Sequence, residues 1–405
     1  MVLANSNLHN AKRAKQDEFY TQWADIEKEM NAYLDYDPDV FRGKTILLPC
    51  DDPEWSNFTK YFALRFQDFG IKKLISTSYA PRSNMEGLFY DPEPTLFDDI
   101  KYDETKDYER GKIFVLDGTD VNNDGRVNIE DFEWEYLEGD GDFRSEEITK
   151  LRDEADMVIT NPPFSLFREF LAWLEDGDVL YSIIGNMNAI TYKEVFPLVK
   201  DNKLWYGQSI HSGDREFRVP ESYPLAAAGF RTDEEGNNYI KVKGVRWFTN
   251  IQHGRRHEPL PLMTMEDNLR FNKKISQNPT SYMRYDNYDA IEVPVTSGIP
   301  LDYEGIMGVP ISFLDKYSPE QFEILGATQR GCHDLVPDTK KYDTYREMRQ
   351  DGTPTGSSGG KTNENTNLAF NDGKKNFFVN EEGHEIQSTY QRVFIRHKKQ
   401  SDQEN

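Results

Sequence analysis

Cysteine is nearly absent from this sequence: Cys50 and Cys332 are the only two in 405 residues. That scarcity excludes a disulfide framework and a cysteine-rich zinc cluster, and it suits a reducing compartment. No run of eighteen apolar residues occurs, and the first residues carry no apolar signal segment. The expectation is a soluble, cytoplasmic protein with no membrane partner. Positive charge is also short, with 48 Lys and Arg against 71 Asp and Glu and a formal net charge of −23. Such a balance argues, at first sight, against a nucleic-acid binder. Its distribution tempers that exclusion, because Glu86 to Asp156 holds 24 acids against 8 bases, or −16 of the total. Elsewhere bases cluster at Arg255-Arg256-His257, Lys273-Lys274 and Arg396-His397-Lys398-Lys399. A solvated acidic lobe is therefore compatible with a nucleic-acid-facing cleft. The length suits two domains, or one large domain with a lobe.

Glycine is missing where a nucleotide-type fold most often uses it. The strand Lys44-Thr45-Ile46-Leu47-Leu48-Pro49 ends in Cys50-Asp51-Asp52-Pro53, and Ser56-Asn57-Phe58 opens a helix expected to reach Phe69. A first strand feeding a polar turn and a helix amino end has the geometry of such a site. With no G-x-G cradle, polar ligand groups must be met by Asp51, Asp52, Ser56, Asn57 and the backbone around them. The plainer alternative is a turn capped by Ser56 or Asn57. Before it, Phe19, Trp23, Ile26, Met30 and Leu34 are spaced for one helix over about 10–34. Tyr20 and Thr21 on that stretch are candidate contacts to the methionine end of a cofactor. A second strand, Lys73 to Tyr79, ends in hydroxyl residues, and about 81–109 reads as irregular and acidic.

Within the acidic block, Asp120, Asn122, Asp124, Arg126 (through its backbone), Asn128 and Asp131 follow the spacing of an EF-hand or dockerin calcium loop, with Gly125 at the sharp turn. A hairpin turn around Asn123-Asp124-Gly125 is the alternative. Asp142-Phe143, after Gly139-Asp140-Gly141, suits an acceptor for an adenine amino group followed by a stacking ring; a plain loop suits the glycines equally well.

The chemistry concentrates in Met157-Val158-Ile159-Thr160-Asn161-Pro162-Pro163-Phe164. A short buried strand runs into a polar turn that two prolines stiffen, and an amphipathic helix follows through Trp173. Open α/β sheets hold ligands at this end of their strands. The Asn161 amide oxygen and the Pro162 carbonyl can accept both hydrogens of an exocyclic amino group, while Phe164 stacks on the ring that bears it. Holding those hydrogens out of the ring plane localises the nitrogen lone pair for attack on a methyl sulfonium. No deprotonating base is required, and the pattern points to an S-adenosylmethionine-dependent amino methyltransferase. Further on come strands Val179 to Ile184 and Leu204 to Tyr206, with a helix Lys193 to Leu198 between them. In the strand Gly244 to Asn250, Trp247 or Phe248 is a candidate second slab beside the target base, or else an ordinary core residue. Loops dominate from about residue 257, with a short helix expected over Pro319 to Leu325, a flexible segment over 351–375 and a closing strand Tyr390 to Arg396.

With these strings in view, the chain resembles the EcoRI-type adenine-specific DNA methyltransferases over nearly its full length. The resemblance is carried by Asp17 to Thr21, Cys50-Asp51-Asp52-Pro53 with Ser56-Asn57-Phe58, Gly139 to Glu146, Val158 to Glu169, Ile190 to Phe196, Tyr285 to Ile291 and Gly308-Val309-Pro310-Ile311. It implies a Rossmann-like S-adenosylmethionine-dependent methyltransferase domain over residues 1–256, with an acidic insertion at about 84–138, and a target-recognition region over 257–405. It also implies double-stranded DNA as substrate and a flipped adenine as acceptor. A cognate restriction endonuclease is an expected partner in the same system, without a stable complex. The same chemistry on RNA adenine or protein glutamine is the alternative, as is a catalytically idle DNA-binding or DNA-mimicking protein; intact Asn161 to Phe164 disfavours the idle form.

Overall fold

The computed structural model describes residues 21–51, 56–80, 106, 109–211, 214–219, 229–328, 336–357 and 362–399. They fall into two units: residues up to Ala189 with Trp205–Gly254, and Ile190–Leu204 with residues from Arg255 onward. In chain order the first unit contains α1 (Trp23–Tyr36), β1 (Thr45–Leu48), α2 (Asn57–Leu64), β2 (Lys73–Thr77), β3 (Lys112–Leu116), β4 (Glu133–Tyr136), α3 (Glu146–Glu154), β5 (Met157–Thr160), α4 (Phe167–Asp176), β6 (Leu180–Asn186), β7 (Trp205–Tyr206), β8 (Asp214–Val219), β9 (Arg231–Thr232), β10 (Asn238–Lys243) and β11 (Val245–Thr249).

Every residue of β1 and of β5 is buried, as unbroken apolar runs require of strands covered on both faces. They lie in an eight-stranded sheet of order β4-β3-β2-β1-β5-β6-β11-β7. Strands β2, β1, β5 and β6 run parallel, and β11 enters antiparallel beside β6. Alternate side chains of the sheet serve opposite faces. Ile46, Leu48, Met157, Ile159 and Trp247 share one core with Ile26, Met30 and Tyr33 of α1 and Phe58 and Phe62 of α2. On the other parity Phe248 meets Phe167 of α4, with ring centroids 4.9 Å apart. This is a Rossmann-like, doubly wound sheet, and its strand order reverses between β1 and β5, where such sheets take their ligands.

The acidic insertion expected over about 84–138 is, in its described part, an extension of that sheet rather than a detached lobe. Strand β3 pairs antiparallel with β2, and β4 with β3. In Glu133-Trp134-Glu135-Tyr136 the glutamates are exposed while Trp134 is buried against Phe114. Residues 81–105 lie outside the described residues. A smaller antiparallel sheet, β8-β10-β9, joins the same core through Phe217, Val219, Ile240 and Val242.

The second unit contains α5 (Phe196–Lys200), α6 (Met265–Phe271), α7 (Lys273–Ser276), β12 (Ile291–Glu292), β13 (Met307–Pro310), β14 (Phe322–Ala327), β15 (Tyr345–Met348), β16 (Asn367–Leu368), β17 (Phe377–Asn380), β18 (Glu385–Ser388) and β19 (Arg392–His397). They form two four-stranded sheets, β12-β13-β19-β14 and β15-β17-β18-β16. One expectation fails here. Pro319 to Leu325 is not a helix: Phe322 onward pairs with the closing strand β19. Within 351–375, Thr362, Thr366 and Asn367 are buried, and the Asn367 amide donates to the Thr362 carbonyl at 2.7 Å. Residues 358–361 lie outside the described residues. Among the described residues no helix is long and apolar enough to cross a membrane.

Candidate active site

The turn after β1 solves without glycine a problem that glycine usually solves. Cys50 takes φ = 66°, the left-handed conformation. The chain thereby turns at the strand tip, and the Asp51 amide donates to the Thr77 carbonyl at 2.8 Å. The Asp51 carbonyl accepts from the hydroxyls of Thr59, at 3.0 Å, and Ser76. Its carboxylate is bracketed by two more hydroxyls, Ser56 and Thr160, each at 2.6 Å. The Thr160 hydroxyl also lies 2.8 Å from the Pro49 carbonyl, so its one proton can go to either acceptor. Asp51, 7 % exposed, thus ties the tip of β1 to the end of β5.

Ser56 completes the connection by accepting from the Phe58 and Thr59 amides at 3.1 and 3.4 Å, which caps α2. The Asn57 side-chain amide donates to the Thr21 carbonyl at 2.7 Å. Thr21 is itself buried, and its hydroxyl has no hydrogen-bond partner among the described residues. The segment carrying it is anchored by α1, whose fully buried Glu29 accepts from Tyr33 at 2.8 Å and from the Gln208 and Ser209 amides at 3.0 and 2.7 Å. Burial holds the Glu29 carboxyl above the usual range, against those hydrogen bonds. Tyr20 and Asp52 lie outside the described residues.

One strand further, Gly141 packs on the Ser78 carbonyl at the end of β2 with φ = 86°, where a Cβ would collide with that oxygen. The Ala80 amide donates to the Asp140 carbonyl at 2.8 Å. Asp142 is therefore set beside the tip of β2. Arg144 donates to its carboxylate through Nε and Nη2 at 2.9 and 2.5 Å, and the Tyr79 hydroxyl lies at 3.3 Å. Partial burial alone would raise its pKa, but the bonds from Arg144 outweigh it and the carboxyl sits below the usual range. Phe143 points away into the α4 layer, edge-on to Phe170 and Trp173 with centroids 4.9 and 5.7 Å apart.

Beyond β5, Asn161 is half-buried with its amide oxygen shielded from solvent. Pro162 is buried, and Pro163 leads into a short 3-10 turn over Phe164–Leu166 before α4 begins. Phe164 is half-buried, edge-on to Phe217 at 6.3 Å. Trp247 and Phe248 are both 0 % exposed, against Phe58 on one face and against Phe167 and Tyr206 on the other. Neither offers an accessible face, so the expectation of a base-stacking slab on this strand gives way to core packing. The row of tips β2, β1, β5 thus brings together Asp142, Asp51 with its hydroxyl shell, Thr21, Asn161 and Phe164. Thr160, Thr59, Ser76, Arg144 and Phe217 were not singled out from the sequence. The available signal was the hydroxyl residues that end two of these strands, Ser76 and Thr77 on β2 and Thr160 on β5.

The loop 120–131 connects β3 to β4. Asp120 accepts from the Asp124 and Gly125 amides at 3.2 and 2.8 Å, Asp124 from Arg126 at 2.8 Å, and Asp131 from Val121 and Asn128 at 2.8 and 2.9 Å. Its side-chain oxygens are directed at the loop's own backbone. Among the described residues no group of three or more His, Cys, Asp or Glu side chains is arranged to hold a metal ion.

The sheet order and the polar strand tips are those of a Rossmann-like fold with its ligand site at the strand ends, and the family match makes it an S-adenosylmethionine-dependent methyltransferase. The family model described as adenine-specific methyltransferase EcoRI matches residues 7–398, and the chain belongs to that EcoRI-type family of adenine-specific DNA methyltransferases. It is 44% identical over 321 residues to the type II methyltransferase M.EcoRI of Escherichia coli, covering 79% of this chain and 89% of the relative. Against the type II methyltransferase M.MpnI of Mycoplasma pneumoniae it is 32% identical over 340 residues, covering 83% and 90%. No solved structure matches. The activity is site-specific methylation of adenine N6 in DNA.

Proposed function

We propose that Asn161 and the Pro162 carbonyl grip the amino group of an adenine extruded from duplex DNA, while Phe164 stacks on its ring. What supports this reading is the link between the two strand tips: one carboxylate, Asp51, is held by Ser56 at the head of α2 and by Thr160 directly before Asn161. A cofactor site beside β1 and an amino-group site beside β5 are thereby fixed relative to each other. Extrusion costs about a few kcal/mol, offset by stacking and edge hydrogen bonds. Positioning supplies most of the rate. S-adenosylmethionine, when bound, supplies the electrophilic methyl group. Thr21, Asp51, Ser56 and Asn57 would hold it with the turn at Cys50, and Asp142 would receive its adenine end; Tyr20 and Asp52 belong to the same proposal. The buried Thr21 hydroxyl, with no partner among the described residues, fits a polar ligand at that place.

Two assays test this assignment. Tritiated methyl groups should enter duplex DNA at adenine, and label in RNA or bulk protein instead would favour the alternative substrates. Phe164→Ala should lose about 1–3 kcal/mol of stacking, read as roughly 5- to 150-fold in kcat/KM for DNA with cofactor affinity retained. An unchanged kcat/KM would reject Phe164 as the stacking ring.

The second unit, by this reading, recognises the target sequence. The enzyme works in the cytoplasm as the modification partner of a restriction endonuclease, without a stable complex; co-purification of the two would contradict that. For the loop 120–131 we propose a structural calcium ion, drawn by Asp120, Asn122, Asp124, the Arg126 carbonyl, Asn128 and Asp131. Gly125 at φ = 83° and Asn123 at φ = 58° give the loop the turns such a site needs. Calorimetric titration of EDTA-treated protein with calcium should give heat and a raised Tm, and neither would appear if the loop is only a hairpin connection.

A further inference from the structure

Helix α6 in the second unit is amphipathic in the wrong sense. Its buried residue is polar: Asn268 is 0 % exposed, and its amide donates to the Met263 and Thr264 carbonyls at 3.2 and 3.1 Å. Its large apolar residues face out, with Leu269 49% and Phe271 61% exposed. At about 100° per residue, Arg270 lies opposite Asn268, with Leu269 and Phe271 on its shoulders. The Arg270 guanidinium lies 5.0 Å from the Phe271 ring centroid. Two more exposed apolar residues precede and adjoin the helix start: Met263, 37% exposed, whose carbonyl accepts from the amide of Leu301, itself 57% exposed.

The corner that follows is rigid and basic. Asn272 caps α7 by accepting from the Lys274 amide, and its own amide donates to the Ser297 carbonyl at 2.9 Å. Lys273 and Lys274 are exposed. The acids of α6, Glu266 and Asp267, sit in its first turn, and Asp267 is engaged by the Thr264 hydroxyl at 2.8 Å. Positive charge therefore gathers at the other end, in a protein whose formal net charge is −23. Large apolar side chains held in solvent on either side of a cation suit an interaction site. When three cations accompany it, the complementary partner is a polyanion that also presents apolar surface. Duplex DNA meets that description: its phosphates lie beside sugar rings and base steps, and apolar side chains pack on these or enter them.

We propose that the Leu269-to-Lys274 corner is a DNA-contact surface, with Arg270, Lys273 and Lys274 on backbone phosphates and Phe271 and Leu269 against sugar or base-step surface. The proposal rests on duplex DNA being the substrate, so the assay starts from the wild-type enzyme, whose failure to bind duplex would remove that premise itself. The measurement is binding of the full chain to a fluorescently labelled duplex over a series of salt concentrations, with melting temperature and S-adenosylmethionine affinity as controls. For Lys273→Ala/Lys274→Ala, the plot of log affinity against log salt should become shallower by about two, near 0.9 for each phosphate no longer neutralised. For Phe271→Ala, affinity should fall about tenfold or more while the salt slope stays as in wild type. Wild-type affinity and slope in either variant overturns the proposal. So does a concentration-dependent dimer that Phe271→Ala dissolves without changing DNA affinity, because the surface would then belong to a second copy of the chain.

Discussion

At the scale of single residues, the site turns on a cysteine standing where a glycine would be at ease. Cys50 at φ = 66° carries a Cβ in the left-handed region, at about 1–2 kcal/mol. The conformation persists because Asp51, immediately after it, is held on every side by Thr77, Thr59, Ser76, Ser56 and Thr160. A β-branched residue there should be worse still. Cys50→Val should destabilise by about 1–2 kcal/mol in chemical denaturation, whereas Cys50→Gly should be close to neutral, its relief of strain offset by the entropy of glycine in the unfolded chain. Equal stability of the two variants would contradict the strain argument. The absence of glycine from this turn therefore misdescribes its shape, and nothing in the residue types around Cys50 announces a positive φ. The turn that carries Asn161 and Phe164 at the end of β5 was legible because proline constrains its neighbours locally. Trp247 and Phe248 were not, because their burial depends on helices distant in sequence.

At the scale of elements, hydroxyl caps and one buried acid hold the helices to the sheet. Ser56→Ala removes the cap of α2 and one of the donors to Asp51, and should cost about 1–2 kcal/mol of stability together with weaker S-adenosylmethionine binding. Unchanged cofactor affinity would separate the cap from the site. Glu29 gives a pH test. Burial raises its folded pKa above the unfolded value, so the folded state holds the proton more tightly, and the stability it contributes is present at low pH and lost as pH rises through the folded pKa. As pH rises above the ordinary carboxyl range, wild type should therefore lose Tm relative to Glu29→Gln. A constant difference would mean that the group does not titrate as its burial requires. Elements of strong apolar period, such as β1 and β5, are evident from the chain alone. Strand β4 is masked by Glu133 and Glu135, whose charge makes an alternating edge strand resemble solvated loop. Strand β14 misleads in the opposite way: Phe322 and Leu325 have a helical spacing, and pairing with β19 decides the matter.

At the scale of the whole molecule, the acidic stretch divides between an edge of the sheet and the candidate site. Its strands β3 and β4 continue the sheet beyond β2 from the strands that carry Asp51 and Asn161, while Asp142 sits at the tip of β2. The order β2-β1-β5 sets the candidate cofactor residues and the turn proposed to grip the amino group on adjacent strands. Positioning of that kind makes a sharp demand on one side chain, since removal of Asn161 takes away a hydrogen-bond acceptor and leaves the β1 turn untouched. The decisive measurement is single-turnover methyl transfer from tritiated S-adenosylmethionine to duplex DNA by Asn161→Ala, with cofactor affinity measured calorimetrically on the same preparation. Transfer should fall about a hundredfold or more, by analogy with the loss of one preorganised hydrogen-bonding group at other reacting centres, while cofactor affinity stays within about twofold of wild type. Transfer at the wild-type rate would contradict the assignment of the asparagine-proline corner as the site of chemistry.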